Sequence, residues 1–175
     1  MMRRWIIPLL IGLGLGVFAY QATLLATPFA LMQLAVRKVG AGAPVNQFAF
    51  GKMATAANQP IVRPSPDLSY STCVFDVSNG PVLIDVAPVP NHYWSVSIFD
   101  ARTDVAAVRS DRDTGGRPAK LVLYRSGSTV DTPQGYERVP LPYDKGIALI
   151  RILLANPSEF AAIDAIRRRS ICKSI

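Results

Sequence analysis

The residue type best suited to proton transfer occurs once in this chain, as His92, directly after Pro90-Asn91 and at the start of an alternating apolar pattern. An imidazole at a strand end titrates near neutrality and can act as general acid or base. Covalent chemistry needs a nucleophile beside it, and neither a Gly-x-Ser-x-Gly elbow nor a Cys-His signature is present. A solvated or hydrogen-bonded histidine is therefore the first reading of His92, and catalysis is the alternative. Asp100, Asp104, Asp111 and Asp113 supply the nearest cluster of oxygen ligands. The run Asp111 to Gly116 begins like a calcium loop but lacks the third oxygen ligand and the closing bidentate Glu. It reads as a polar hairpin tip, and no metal or cofactor is expected.

Arg151 stands inside an apolar stretch, with Ile147, Leu149 and Leu153 on its own face and Ala148, Ile150, Ile152 and Leu154 on the other. A strand apolar on both faces is expected between layers, where a guanidinium needs a carboxylate or several carbonyls. Asp67, Asp76, Asp100 and Asp104 are the candidate partners, in a structural tie. Anion binding by Arg151 is the minority reading. Cys73 and Cys172 are 99 positions apart, and the sequence leaves open whether they meet. Two cysteines build neither a disulfide scaffold nor a four-thiolate zinc site.

The elements around these residues begin with a membrane-length segment. After Arg3 and Arg4 the next Lys or Arg is Arg37, and residues 5 to 36 hold no ionisable group but Tyr20. Trp5 to Ala26, at ~1.5 Å per residue, covers roughly 33 Å as a helix, enough for a bilayer core. Trp5 and Tyr20 suit the interfaces, and the leading arginines favour a cytoplasmic N-terminus with the remainder exported. A cleaved secretory signal ending near Val17 to Ala19 is the competing reading, and the continued apolar sequence to Val36 favours the uncleaved anchor. Gly12 and Gly16 form one Gly-xxx-Gly pair, which permits close helix approach in lipid.

Residues 27 to 66 read as a juxtamembrane connector, with Pro28 as a kink, a short helix over Asn46 to Ala57, and Pro60, Pro64 and Pro66 near its end. From Asp67 to the C-terminus at residue 175 the texture is that of an exported β-rich domain. Leu68 to Val77 and Val82 to Val86 flank Ser78-Asn79-Gly80-Pro81 and predict a hairpin. Trp94, Val96 and Ile98 alternate with Ser95 and Ser97, which predicts a strand with one buried face. Further strands are expected over Val105 to Arg109, Lys120 to Arg125 and Gly146 to Leu154. A helix closes the chain, with Asn156 as cap, Pro157 at its first position, Glu159 placed for a capping box, and Phe160, Ile163 and Ile166 inward. Arg167, Arg168 and Arg169 are accounted for by the helix dipole. The fold class is mainly β, or α+β: an antiparallel sandwich or jelly-roll-like meander with one C-terminal helix behind an N-terminal transmembrane helix.

The chain has 175 residues, 19 Lys+Arg, 12 Asp+Glu and a net charge of +7. Its mean hydropathy of +0.24 excludes a disordered chain. Residues 37 to 175 hold 17 of the basic residues and all 12 acidic ones. Outside the cytoplasm that surplus meets anionic lipid headgroups and not chromosomal DNA or mRNA, so nucleic acid is rejected as a partner.

Three stretches carry a family likeness. They are Arg63-Pro64-Ser65-Pro66-Asp67-Leu68-Ser69-Tyr70, Val74-Phe75-Asp76-Val77-Ser78-Asn79-Gly80-Pro81, and His92-Tyr93-Trp94-Ser95-Val96-Ser97-Ile98-Phe99-Asp100-Ala101-Arg102-Thr103-Asp104. Together they resemble the bacterial domain-of-unknown-function family 1254 from about residue 60 to about 170. The family pattern is matched at Pro66-Asp67, Tyr70, Gly80-Pro81, Asp100, Thr103 and Asp104. Ser65-Pro66 and Asp104 stand where the family usually has Asn. The resemblance implies a jelly-roll-like β fold. It also implies that short anchored members are half of a split pair, whose other half is a protein of the unknown-function family numbered 1214.

The leading expectation is a bacterial inner-membrane protein with a single span, N-terminus cytoplasmic and domain periplasmic, that pairs without catalysis with a family 1214 protein. A homo-oligomer is the other assembly considered. An envelope hydrolase using Asp67, Tyr70, His92, Asp100 or Asp104 is the first alternative. A lipid or apolar-ligand carrier is the second, and it predicts an apolar cavity between sheet and helix.

Overall fold

The computed structural model describes residues 3–55 and 64–175. Helix α1 spans Arg3–Gly40, 38 residues, and its Ile6–Gly40 portion is long and apolar enough to cross a membrane. It runs past Ala26 and through Pro28 without interruption. The Thr23 and Thr27 hydroxyls donate to the carbonyls of Ala19 and Thr23, four residues back, at 2.8 and 2.7 Å. Neither hydroxyl therefore needs water, as a lipid environment requires. The helix stops at Gly40, and Gly42 N–H closes a turn onto Val39 O at 3.2 Å.

Among the described residues nine strands follow in two sheets. Strand β1 (Phe48–Phe50), β2 (Leu68–Asp76), β4 (Trp94–Phe99), β5 (Val105–Ser110) and β8 (Lys145–Leu153) form a five-stranded sheet in the order β1-β2-β8-β4-β5. Strand β3 (Val82–Val86), β6 (Ala119–Arg125), β7 (Glu137–Leu141) and β9 (Ile171–Ser174) form a four-stranded one in the order β7-β6-β3-β9. The short helix α2 (Asp111–Thr114) follows β5, and α3 (Phe160–Arg167) precedes β9 after a 3-10 turn at Pro157–Glu159. Among the described residues this is an α+β two-sheet sandwich, open at its edges. Inward residues at period two fill the space between the sheets: Phe75 from β2, Ile84 from β3, Trp94 and Ile98 from β4, Leu121 and Leu123 from β6, and Ile150 and Ile152 from β8.

Four sequence expectations are corrected. No helix begins at Asn46; β1 occupies Phe48–Phe50, and residues 56 and 57 lie outside the described residues, as do Pro60 and Arg63. Asn46 takes a left-handed φ of 62° and binds the Asp76 backbone through both ends of its amide, at 2.8 and 3.1 Å, which lays the chain beside β2. Strands β2 and β3 are not a hairpin, because β2 pairs with β1 and β8 while β3 pairs with β6 and β9. Ser78 to Pro81 is thus a corner between sheets, with Gly80 at φ 145°. The strands are not all antiparallel: β7 runs parallel to β6, and the loop between them returns the chain. The last element is strand β9, and not the helix, for β9 completes the edge of the second sheet beside β3.

Two features join the sheets. Cys73 of β2 and Cys172 of β9 form a disulfide with their Cα atoms 6.6 Å apart. On the opposite side Arg109 of β5 forms a two-pronged ion pair with Glu137 of β7. Gly146 lets β8 pass close to β4, since a Cβ there would lie 2.0 Å from the Phe99 carbonyl oxygen.

Candidate functional site

The motif residues fall at two ends of the five-stranded sheet. At the first end His92 Nδ1 lies 2.9 Å from the Pro90 carbonyl, and Nε2 lies 3.3 Å from Glu159 Oε2. The same Glu159 oxygen accepts the Asn156 N–H at 3.2 Å, completing the capping contact that begins the 3-10 turn. With an acceptor at each nitrogen the ring is served best as the doubly protonated cation. The Pro90 carbonyl first, and then the Glu159 carboxylate, hold its pKa above the usual value. Asp67 contributes backbone, its carbonyl accepting Leu154 N–H at 2.8 Å. The Tyr70 hydroxyl accepts Ser65 N–H at 2.9 Å.

At the second end Asp100 is buried, and its Oδ1 accepts the N–H groups of Arg102 at 2.7 Å and Asp104 at 3.1 Å. Asp100 N–H returns to Asp104 O at 2.9 Å, and Thr103 N–H to Asp100 O at 3.1 Å, with Thr103 at φ 67°. The Asp-x-x-Thr-Asp motif therefore builds the β4–β5 hairpin turn: a carboxylate nucleates it and holds a β-branched residue in the left-handed region. His92 precedes β4 and Asp100 follows it, and the five steps from Trp94 to Phe99 alone span about 17 Å at strand rise. Asp100, Thr103 and Asp104 are thus separated from His92, Asp67 and Tyr70, and no single site gathers them.

Arg151 departs from its expected setting. Strand β8 turns Ala148, Ile150 and Ile152 into the core, where Leu154 just after it joins them, and Ile147 outward against Met32 and Val39 of α1. Arg151 shares the outward face, half-buried, so β8 is not enclosed between the sheets. Its Nη2 donates to Ser97 Oγ at 3.1 Å, and among the described residues no carboxylate pairs with it. A hydroxyl suffices because the rest of the guanidinium reaches solvent, although Nε is buried without a partner. Arg151 stands opposite Tyr70 on β2 and Ser95 on β4, and the Ser95 hydroxyl is also buried and unpartnered. Exposed Tyr93, Val108 and Leu153 surround this polar row.

Between the outer face and the last turns of α1 lies a cleft of ≈ 620 Å³. Leu31, Leu34, Ala35 and Lys38 form its helix wall, and Thr72, Phe99, Ile147 and Leu149 its sheet wall. A second charged cleft, of ≈ 390 Å³, lies where β5 and β6 approach β7. Its Arg109 is paired with Glu137, and the Asp113 carboxylate takes the Ser110 N–H and hydroxyl at 2.8 and 2.7 Å.

A family profile described as "Protein of unknown function (DUF1254)" matches residues 45–174. The chain belongs to the DUF1254 family. No curated relative matches it. A solved structure from Vibrio parahaemolyticus is similar over 85% of this chain and 34% of that one, at 14% identity and a TM-score of 0.66. An uncharacterized protein from Burkholderia cenocepacia matches over 65% of this chain and 33% of its own, at 16% identity and a TM-score of 0.46. This DUF1254 chain therefore spans about a third of the length of the solved proteins it is similar to, and the first of them shares its fold.

For Arg167 of this DUF1254 domain the helix dipole is not the whole account: the side chain is 1% exposed and lies between α3 and the β1–β2 edge. Its guanidinium donates to the carbonyls of Tyr70 and Gly51, to Ser71 Oγ at 3.1 Å and to Asp164. It also sits over the rings of Phe50 and Phe160. Burial pushes its pKa down, and the Asp164 carboxylate opposes that. The available signal was periodicity, because Phe160, Ile163 and Arg167 are spaced to share one helix face.

Proposed function

We propose that this DUF1254 chain is a bacterial inner-membrane protein of one span, with a cytoplasmic N-terminus and a periplasmic sandwich that docks a second protein without catalysis. The partner in this reading is a protein of the family numbered 1214. The observation that carries it is the outer face of the five-stranded sheet. There Tyr93, Val108 and Leu153, each at least 42% exposed, lie around half-buried Arg151, which has no carboxylate partner among the described residues. Exposed apolar and aromatic side chains around an arginine are the composition of a protein-binding surface. Export is supported by the Cys73–Cys172 bond, which persists in oxidising compartments, and by the length of α1.

Co-expression with a family 1214 protein and purification from detergent tests the reading. A stable complex is expected, weakened at least tenfold by Leu153→Glu or Val108→Glu in a chain that still folds. A solitary monomer would count against it. The hydrolase alternative, using Asp67, Tyr70, His92, Asp100 or Asp104, calls for His92 beside the Asp67 and Asp100 group, and β4 stands between His92 and Asp100.

A further inference from the structure

The cleft between α1 and the sheet differs from the rest of the outer face in being continuous with the membrane-length helix. Leu24, Leu31 and Leu34 are each at least 51% exposed and lie at helical spacing on one stripe of α1, which continues through Ala35 to Lys38. From Leu31 onward that stripe forms the helix wall of the cleft and faces the mainly apolar sheet wall of Phe99, Ile147 and Leu149, with Thr72 beside them. Among the described residues Lys38 is the one ionisable side chain lining the cleft, and no ion pair to it exists among them. Arg37 precedes it, and Arg151 lies one row further on the same sheet face. The volume of ≈ 620 Å³ is within the range of small-ligand sites, about 300–1,000 Å³.

We infer that the cleft binds one anionic glycerophospholipid drawn from the bilayer in which α1 is anchored. Its phosphate sits at Lys38, and one acyl chain lies between the Leu31–Leu34–Ala35 stripe and the Ile147–Leu149 wall, pointing back along α1. Apolar walls account for the chain and the uncompensated cation for the headgroup charge. This occupant rests on the anchorage proposed above and is independent of the protein partner.

The full chain reconstituted in phosphatidylglycerol vesicles that carry a photoreactive acyl chain tests it, with labelled peptides located by mass spectrometry. Label is expected both on α1 and on the β8 peptide holding Ile147 and Leu149. The β8 label should fall roughly fivefold in phosphatidylcholine vesicles, and by a similar factor in Lys38→Gln, with the α1 label unchanged. Ala35→Trp, which fills the cleft, should remove the β8 label. Because that variant can disturb packing, its cooperative melting is checked alongside. Label on α1 with none on β8 would overturn the lipid site alone. A β8 label indifferent to headgroup and to Lys38 would also overturn it. Absence of label from α1 would overturn the anchorage, and the site with it.

Discussion

His92 and Arg167 show how a charged side chain is assigned by what faces it. His92 has a carbonyl on one nitrogen and Glu159 on the other, and its folded pKa is raised. A raised cation pKa adds stability that is fully present below the unfolded value, about 6.5, and is lost as pH rises through the folded value. Thermal midpoints from pH 5.5 to 8.5 should therefore fall across neutrality in the native chain, and His92→Gln should remove that component of the slope. Arg167 has backbone carbonyls, a hydroxyl, a carboxylate and two rings around one planar group. Lysine cannot reproduce that fork. Arg167→Lys is expected to lower unfolding free energy by about 2 kcal/mol and Arg167→Ala by about 3–4 kcal/mol in denaturant titrations, since buried carbonyls lose their donors.

At the scale of elements, the β4–β5 turn shows why a family motif need not be a catalytic one. Asp100 has both acceptor contacts inside its own turn, and they hold Thr103 where a β-branched residue is disfavoured. Asp100→Ala should destabilise the domain by about 2–3 kcal/mol, while Asp100→Asn, which keeps an acceptor oxygen, should cost less. Hydrogen exchange at the Arg102 and Asp104 amides would report the loosening locally. The motif was legible as a strand end because Asp, Thr and Asp interrupt an alternating run. Its role as a turn was not, because nothing in the spacing says which amides a carboxylate will face. Strands β1 and β9 were illegible for another reason: three and four residues are too few for a period-two signal.

At the scale of the whole molecule, the sheets are tied at one side by Cys73–Cys172 and at the other by Arg109–Glu137. The ion pair is partly solvent-exposed and contributes little. The disulfide closes a loop of 99 residues, and constraining so long a segment of unfolded chain is worth about 4–5 kcal/mol. Reduction, or the Cys73→Ser/Cys172→Ser double change, should lower stability by that order in urea unfolding of the full chain. The free edge of β9 should show the earliest increase in hydrogen exchange. A change of less than about 1 kcal/mol would mean that the inter-sheet core holds β9 unaided.

By itself the amino-acid sequence determined a membrane-length apolar helix, a β-rich domain behind it, most of the longer strands and the family. All of these depend on periodicity, length and local residue type, which neighbours in the chain fix. Only the tertiary structure decided that β2 and β3 belong to different sheets, that Cys73 meets Cys172, that Arg151 faces outward beside a hydroxyl, and that Arg167 is buried. Each of these is a pairing between residues far apart in the chain, and the free energy that selects one pairing over another comes from packing the two sheets together.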